Sequence, residues 1–215
     1  MEIVLLMKIE TLPVGPYEVN CYILVGENRQ AIIIDPGADA ERIREVIAAE
    51  KLTVTACLVT HGHTDHVCAL QAVVKATGCV VGMHPDDARW AFSPVNQLPP
   101  YYPVPGHPGE IARTFADGQE WTDGGLTYRI IATPGHSPGG VCIYFPEAKA
   151  LFSGDTLFQG SVGRTDLRGG DARILTNSLR RLQELPNDTR VFPGHGDSTT
   201  IAEEKANNFF FRGRL

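Results

Sequence analysis

The stretch from Thr60 to His66, THGHTDH, places three imidazoles and a carboxylate within seven residues. Imidazole nitrogen and carboxylate oxygen are donors that zinc, iron and manganese accept, so this spacing points to metal chemistry. Three more donors stand where apolar runs stop: His136 in IIATPGHS, Asp155 in LFSGD and His195 in VFPGHG. With LVTHGHTDH, four apolar runs therefore end at a potential ligand. In open α/β sheets the loops at strand carboxyl ends converge while the sheet behind stays rigid, so four such ends can meet in one crevice.

The donors at these ends are His61, His63, Asp65, His66, His136, Asp155 and His195, five of the seven histidines with two carboxylates. A mononuclear catalytic zinc takes three protein ligands and keeps one position open, whereas seven donors suit two ions that share a carboxylate. If the chain turns from strand to helix after Thr60, His61 and His63 face one way and Asp65 and His66 occupy the first helical turn. This division assigns His61, His63 and His136 to one ion, Asp65, His66 and His195 to the other, and Asp155 to both. Glycines in HGH, PGH, SGD and PGHG let the backbone turn sharply near the ions. A lone histidine at a strand end is usually a hydrogen-bonded or surface residue, which is how His84 and His107 read. Recurrence of Gly-His or Gly-Asp at three further strand ends lifts the set above that background.

The elements that must position these donors follow from periodicity and punctuation. NCYILVG and QAIIIDPG read as paired strands around the turn GENRQ, with Asp39 as N-cap of the helix ERIREVIAAE. VTACLVT is a strand, VCALQAVVKATG a helix stopped by Gly78, CVVGM a short strand and HPDDARWAF a short helix. LTYRIIAT, GVCIYFP and KALFSGD read as strands. The helix DARILTNSLRRLQEL, the strand TRVFPGH and a terminal helix around IAEEKANNFF follow. Ser93 to Arg113 contains six prolines and forms a long irregular loop over a cleft, with Tyr101 and Tyr102 either as a substrate wall or as part of a packed surface loop. Strands and helices are intermingled, with adjacent strand runs, so the sheets are expected to be mixed in direction. Without repeats or a linker, residues 1–215 read as one domain.

Composition sets the outer bounds. The 215 residues are 43% hydrophobic, ample for a packed core, and carry 19 Lys+Arg against 25 Asp+Glu, a net charge of -6. Nucleic-acid affinity rests on cationic contacts to phosphate, and no basic run is present, so that partner is not expected. The apolar start MEIVLLM lacks a basic flank and is too short for a signal core or a membrane span, so it reads as a strand of a cytoplasmic protein with no membrane partner. Five scattered cysteines, Cys21, Cys57, Cys68, Cys79 and Cys142, form no CxxC pair, and most of them read as buried small apolar side chains. The tail NNFFFRGRL packs either in the core or against a partner. Composition leaves the oligomeric state open.

At the donor residues the chain resembles the metallo-β-lactamase-fold hydrolases. Their H-x-H-x-D-H motif is matched by His61, His63, Asp65 and His66, and their later ligands by His136 in TPGHSPGG, Asp155 in SGDTLF and His195 in PGHG. The resemblance runs from NCYIL to PGHG. It implies an α+β fold, a four-layer αββα sandwich of two mixed sheets packed face to face with helices outside, and two metals in a shallow cleft at one edge. The bridging Asp155 and the run GDTLFQGSVGRTD are most similar to glyoxalase II and its short bacterial relatives, which hydrolyse S-D-lactoylglutathione. The chain ends about twenty residues after His195, without the helical C-terminal extension that binds glutathione in full-length members. Cys68 also departs from the family, which usually has glycine there, and reads as a buried helix residue.

The expected cofactors are two divalent ions, zinc first, with iron or manganese as alternatives. Two cations sharing a water lower its pKa from about 15.7 to near 7, and the resulting hydroxide would attack a thioester or ester carbonyl of a small-molecule substrate. Asp65 would orient that nucleophile and manage its proton. Thr60, Thr64, Ser153 and Asp35 are candidates to hold the ligand imidazoles. Ser161, Arg164 and Asp166 are candidate substrate contacts, Arg164 as a carboxylate site or as an internal ion pair with Asp166. The rival enzyme is a mononuclear iron persulfide dioxygenase, which shares the fold and a similar G-x-G-R-T-D stretch; the rival from another class is a non-catalytic metal-binding module. A β-lactamase is disfavoured, because Asp155 stands where those enzymes have cysteine or serine.

Overall fold

The strand runs are apolar along most of their length rather than alternating, as in Cys21 to Val25 and Ala31 to Ile34, a pattern suited to sheets covered on both faces. The computed structural model, which describes residues 7–212, has that architecture. Strands β1 (Lys8–Val14), β2 (Val19–Val25), β3 (Gln30–Ile34), β4 (Thr53–Leu58), β5 (Val80–Met83) and β6 (Arg113–Thr114) form one six-stranded sheet in chain order. β1 to β3 pair antiparallel, and β3 to β6 run parallel. Then come β7 (Glu120–Asp123), β8 (Leu126–Ala132), β9 (Val141–Phe145), β10 (Ala150–Gly154), the hairpin strands β11 (Leu157–Phe158) and β12 (Ser161–Val162), and finally β13 (Arg190–Pro193) and β14 (Thr199–Thr200). The second six-stranded sheet has the order β14-β13-β10-β9-β8-β7.

Side chains of a strand point alternately to its two faces, and this divides the apolar residues among three cores. Tyr22, Leu24, Ile32, Ile34 and Leu58 of the first sheet meet Tyr128, Ile130, Ile143, Phe145 and Phe152 of the second in a central layer. Cys21, Ile23, Ile33 and Cys57 face outward onto α1 (Ala40–Ala49), through Ile43, and onto the segment of Leu70 and Val73. Cys142, Tyr144, Leu151 and Val191 face outward from the second sheet onto Leu175, Leu179 and Leu182. The result is the four-layer αββα sandwich. No helix among the described residues is long and apolar enough to cross a membrane.

The remaining helices are α2 (Thr64–Val67), α3 (Leu70–Thr77), α4 (Pro85–Ala91), α5 (Ala172–Leu182) and α6 (Ile201–Asn207). The helix expected over VCALQAVVKATG is broken: α2 begins earlier, after His63, and ends at Cys68, and α3 starts afresh after Ala69. Cys68 is half-buried at that break rather than inside a helix, its thiol 3.4 Å from the Thr64 hydroxyl. Gly78 ends α3 in the left-handed conformation, φ 70°. Asp39 precedes α1, but its side chain accepts from the Gly15 amide at 2.8 Å instead of capping the helix. Asp171 does cap α5, accepting from the amides of Arg173 and Ile174. KIETLPV, EWTD and the Thr199–Thr200 pair are strands that periodicity alone did not mark, because each is an edge or near-edge strand with polar residues. The strand expected over MEIVLLM lies mostly outside the described residues. In the tail, Phe211 is buried in the outer core of the second sheet.

Phe152 joins the two sheets, its ring 4.9 Å from that of Tyr22 and 5.1 Å from that of Phe192. Phe152→Ala is expected to cost about 3–5 kcal/mol. Urea unfolding would show this as a lower midpoint at an unchanged slope.

Candidate metal centre

β9 runs antiparallel to both β8 and β10, and β10 runs parallel to β13. β8, β10 and β13 therefore deliver their carboxyl ends to one edge of the second sheet. His136 follows β8, Asp155 follows β10 and His195 follows β13. Two backbone bonds join this edge to the first sheet: Val141 N to Thr60 O and Asn20 N to Gly194 O, both 2.8 Å. His61 and His63 leave β4 there, and Asp65 and His66 lie in α2.

The ligand-type atoms fall into two groups. One nitrogen each from His61, His63 and His136 lies within 4.8 Å of the others, and so do atoms of Asp65, His66 and His195. Asp155 stands between them: Oδ1 is 3.3 Å from His66 Nε2, and Oδ2 is 3.6 Å from His136 Nε2 and 3.7 Å from His195 Nε2. His61 Nε2, His66 Nε2 and Asp155 Oδ1 are buried without a hydrogen-bond partner among the described residues. Buried lone pairs left unmatched are costly, and a cation among them removes that cost. The donor set therefore fits metal ions.

Hydrogen bonds on the far side of the rings decide which nitrogen is free. Asp35 follows β3 at φ 50°, a conformation uncommon for a non-glycine residue, and is buried. Its carboxylate can only accept, and it takes the Thr60 amide at 2.7 Å, the Thr60 hydroxyl at 2.6 Å and His66 Nδ1 at 3.0 Å. His66 must then carry its proton on Nδ1. Thr60 has spent its only proton on Asp35, so His61 Nδ1, 3.1 Å from that hydroxyl, must be the donor in their contact. His136 Nδ1 donates to Arg164 O at 2.7 Å, and His195 Nδ1 to Tyr17 O at 2.9 Å. Each of these four imidazoles thus turns its Nε2 toward the group it shares; that of His136 lies 2.9 Å from His63 Nδ1 and that of His195 3.5 Å from Asp65 Oδ2. A third close trio, Asp35 with His61 and His66, is accounted for by these bonds rather than by a further ion.

Burial and the neighbouring imidazole of His66 keep His61 well below the usual histidine range, and burial with His136 brings His63 down to about 4. Burial would raise Asp155 and Asp65, but the surrounding histidines outweigh it and hold both carboxyls low. Burial likewise opposes protonation of His66, yet Asp155 and Asp65 pull it well above its ordinary value. A cation at that point takes the place of the proton.

Packing around the donors is close. A Cβ on Gly194 would lie 2.3 Å from Asp155 Oδ1 and 2.7 Å from His66 Cε1, so only glycine fits there. Asp87 of α4 was not singled out in the sequence, because it looks like an ordinary first-turn acid. It is fully buried and accepts from the Gly62 amide at 2.8 Å, the Ser137 hydroxyl at 2.6 Å and the Gly139 amide at 2.6 Å, tying the His61–His63 loop to the His136 loop. Of the other candidate supports, Ser153 bonds Leu157 O at 2.7 Å, within the turn that carries Asp155. Thr64 reaches Pro103 O at 3.2 Å rather than an imidazole.

A cleft of about 550 Å³ opens onto the donors, lined by His63, Asp65, His136, Asp155 and His195 and walled by Tyr17, Trp90, Val95 and Leu98. The loop expected over a cleft supplies Val95 to Leu98 to that wall, and Asn96 anchors it by donating to Gly62 O at 2.8 Å. Tyr101 and Tyr102 do not line the cleft. Tyr102 is buried behind Tyr17, whose ring is 5.5 Å away, and Tyr101 packs on the same ring from outside. Arg164 lines the cleft, whereas Ser161 and Asp166 stand outside its lining. Ser161 lies in β12, its carbonyl accepting from Asn208 Nδ2 at 3.0 Å, and Asp166 is engaged by Arg164.

The family model described as Metallo-beta-lactamase superfamily matches residues 14–195. The chain belongs to the metallo-β-lactamase superfamily. Within the superfamily it is 34% identical to the Haemophilus influenzae protein named hydroxyacylglutathione hydrolase GloC, over 97% of this chain and 100% of that protein. The crystal structure of BLEG-1 B3 metallo-beta-lactamase is similar at a TM-score of 0.89, with 38% identity over 95% of this chain and 99% of that one. A second, TTHA1623 in a di-iron-bound form, is similar at a TM-score of 0.83, with 38% identity over 94% and 99%.

Removing the Asp35 carboxylate frees the rings of His61 and His66 to turn. Asp35→Ala is expected to weaken zinc binding about 10- to 100-fold. Equilibrium dialysis of the folded variant, checked by circular dichroism, measures it.

Proposed function

We propose that this chain is a binuclear metal-dependent hydrolase that cleaves a thioester, with S-D-lactoylglutathione as the first substrate to test. The observation that carries the reading is the position of Asp155 between two groups of donors at the floor of an open cleft. His61, His63 and His136 would hold one divalent cation, Asp65, His66 and His195 the other, and Asp155 both. Two cations so placed supply Lewis-acid polarisation of a carbonyl and bring the pKa of a water from about 15.7 to near 7. Zinc suits the nitrogen and oxygen donors, and iron is supported by the di-iron form of a similar structure.

The residues of the chain then orient and protect the reaction. Asp65, held as carboxylate by His66 and His195, faces the cleft and accepts the proton of the attacking water. The walls of Tyr17, Trp90 and Leu98 seat the acyl-thiol compound over the floor and exclude bulk water from one side. A departing thiolate is stable enough to leave without a positioned acid. The relative named hydroxyacylglutathione hydrolase is matched over its whole length, which supports the thioester reading.

Metal analysis combined with an activity panel tests the proposal. Two divalent ions per chain and turnover of a thioester are expected, with both lost on chelation and restored by zinc. Asp65→Ala is expected to lose one ion and about 100-fold or more of the turnover. Ester, lactone and β-lactam substrates belong in the same panel, given the similarity to a B3 metallo-β-lactamase. One iron per chain with oxygen uptake on glutathione persulfide would make the chain a dioxygenase instead. Loaded protein that turns over none of these compounds would be a metal-binding module.

A further inference from the structure

The rim of the cleft carries a charge pattern that the donor groups do not explain. Both Arg164 and Arg168 line it. Arg164 is spent: its Nε and a terminal nitrogen each lie 2.7 Å from an oxygen of Asp166, a two-pronged pair that neutralises it. Arg168 has no hydrogen bond or ion pair with any described residue. It is the one cation of the cleft lining, among the described residues, whose charge no partner meets.

The backbone holds Arg168 at a defined place. Gly170 N donates to Leu167 O at 2.9 Å, closing a turn around Arg168 and Gly169, and Asp171 N donates to Gly135 O at 2.8 Å. Gly169, at φ 81°, passes so close to Pro138 that a Cβ would lie 2.6 Å from the proline ring. Arg164 O receives the Nδ1 proton of His136. The turn is thus tied on both sides to the loop that carries His136. Beside it the cleft is apolar where it meets solvent: Tyr17, Val95, Leu98 and Leu167 all line it and are 43%, 58%, 39% and 38% exposed. Exposed apolar side chains gathered at one concave site, rather than scattered, mark a surface that another molecule covers.

We propose that Arg168 determines substrate specificity by binding a carboxylate on the non-reacting part of the substrate, while Tyr17, Leu98 and Leu167 cover an apolar segment beside it. The cleft then selects anionic, partly apolar acyl-thiol compounds, and Arg164, which the sequence offers for that role, is a structural ion pair. This inference rests on the reading of the same cleft as the hydrolase site. Arg168 acts on affinity and discrimination and does not reach the bond that breaks.

Binding of two thioether probes to the zinc-loaded full chain separates the two readings, since a thioether is not hydrolysed. The probes are 3-(benzylthio)propanoate and its neutral carboxamide, compared by titration calorimetry. Wild type is expected to prefer the carboxylate about two- to fivefold, the scale of one exposed ion pair. Arg168→Gln should bring that ratio to about one, Arg168→Lys should keep part of it, and the paired change Arg164→Gln with Asp166→Asn should keep it all. A wild-type ratio near one overturns the inference, as does a preference that survives Arg168→Gln, which would assign the carboxylate to the metal ions. So does a preference lost in the Arg164/Asp166 double variant but not in Arg168→Gln. Failure of thioester turnover would instead sink the hydrolase reading, and it leaves the probe comparison intact as a measure of Arg168.

Discussion

The carboxylate of Asp35 is the constraint on which the donor geometry depends. It is an acceptor with no proton to give, placed at the end of β3 where the parallel neighbour β4 releases Thr60. Because it takes protons from Thr60 and His66, two imidazoles are left with their lone pairs facing inward. Burial makes the arrangement exacting. In water an unmatched imidazole nitrogen is solvated, but beneath this cleft His61 Nε2 and His66 Nε2 are buried without a partner among the described residues, and a cation would satisfy them. The hydrogen bonds therefore select the tautomer, and that tautomer presents lone pairs that a cation can take.

Two sheets packed face to face make this possible. Each contributes strands whose carboxyl ends reach the same edge, and the central core of Tyr22, Leu24, Ile143 and Phe152 sets how far apart those ends stand. Supports that lie across the edge then adjust the loops. Asp87 ties the His63 loop to the His136 loop, and Asn208 and Glu204 of the C-terminal region hold the β11–β12 hairpin that leads to Arg164. These groups touch no donor nitrogen or oxygen. They act by fixing the backbone from which the donors hang, where a displacement of about 1 Å is enough to matter.

The cleft itself is asymmetric. Its floor is built from rigid strand ends, whereas part of its wall comes from the proline-rich segment, pinned through Asn96 and through the Thr64 to Pro103 contact. Rigid floor and loop-built wall divide the work in the usual way: chemistry is kept constant by the first and selectivity is set by the second.

The candidate donor residues, their place at strand ends and the mixed sheets were legible in the residues themselves, because a ligand must be a particular residue type and a strand must be apolar whatever surrounds it; the four-layer sandwich was legible only through the resemblance to the metallo-β-lactamase-fold hydrolases. Thus His61, His63, Asp65, His66, His136, Asp155 and His195 could be named from residue type and spacing alone. What sequence could not decide are relations between distant residues. Asp87 reads as a helix-start acid until its three long-range partners are seen, Tyr102 reads as a wall residue until it is found behind Tyr17, and Arg164 and Arg168 look equivalent until one is found paired. Donor identity is a local property carried by the side chain, whereas orientation, burial and charge compensation depend on which segments the two sheets bring together, and only the tertiary structure decides that.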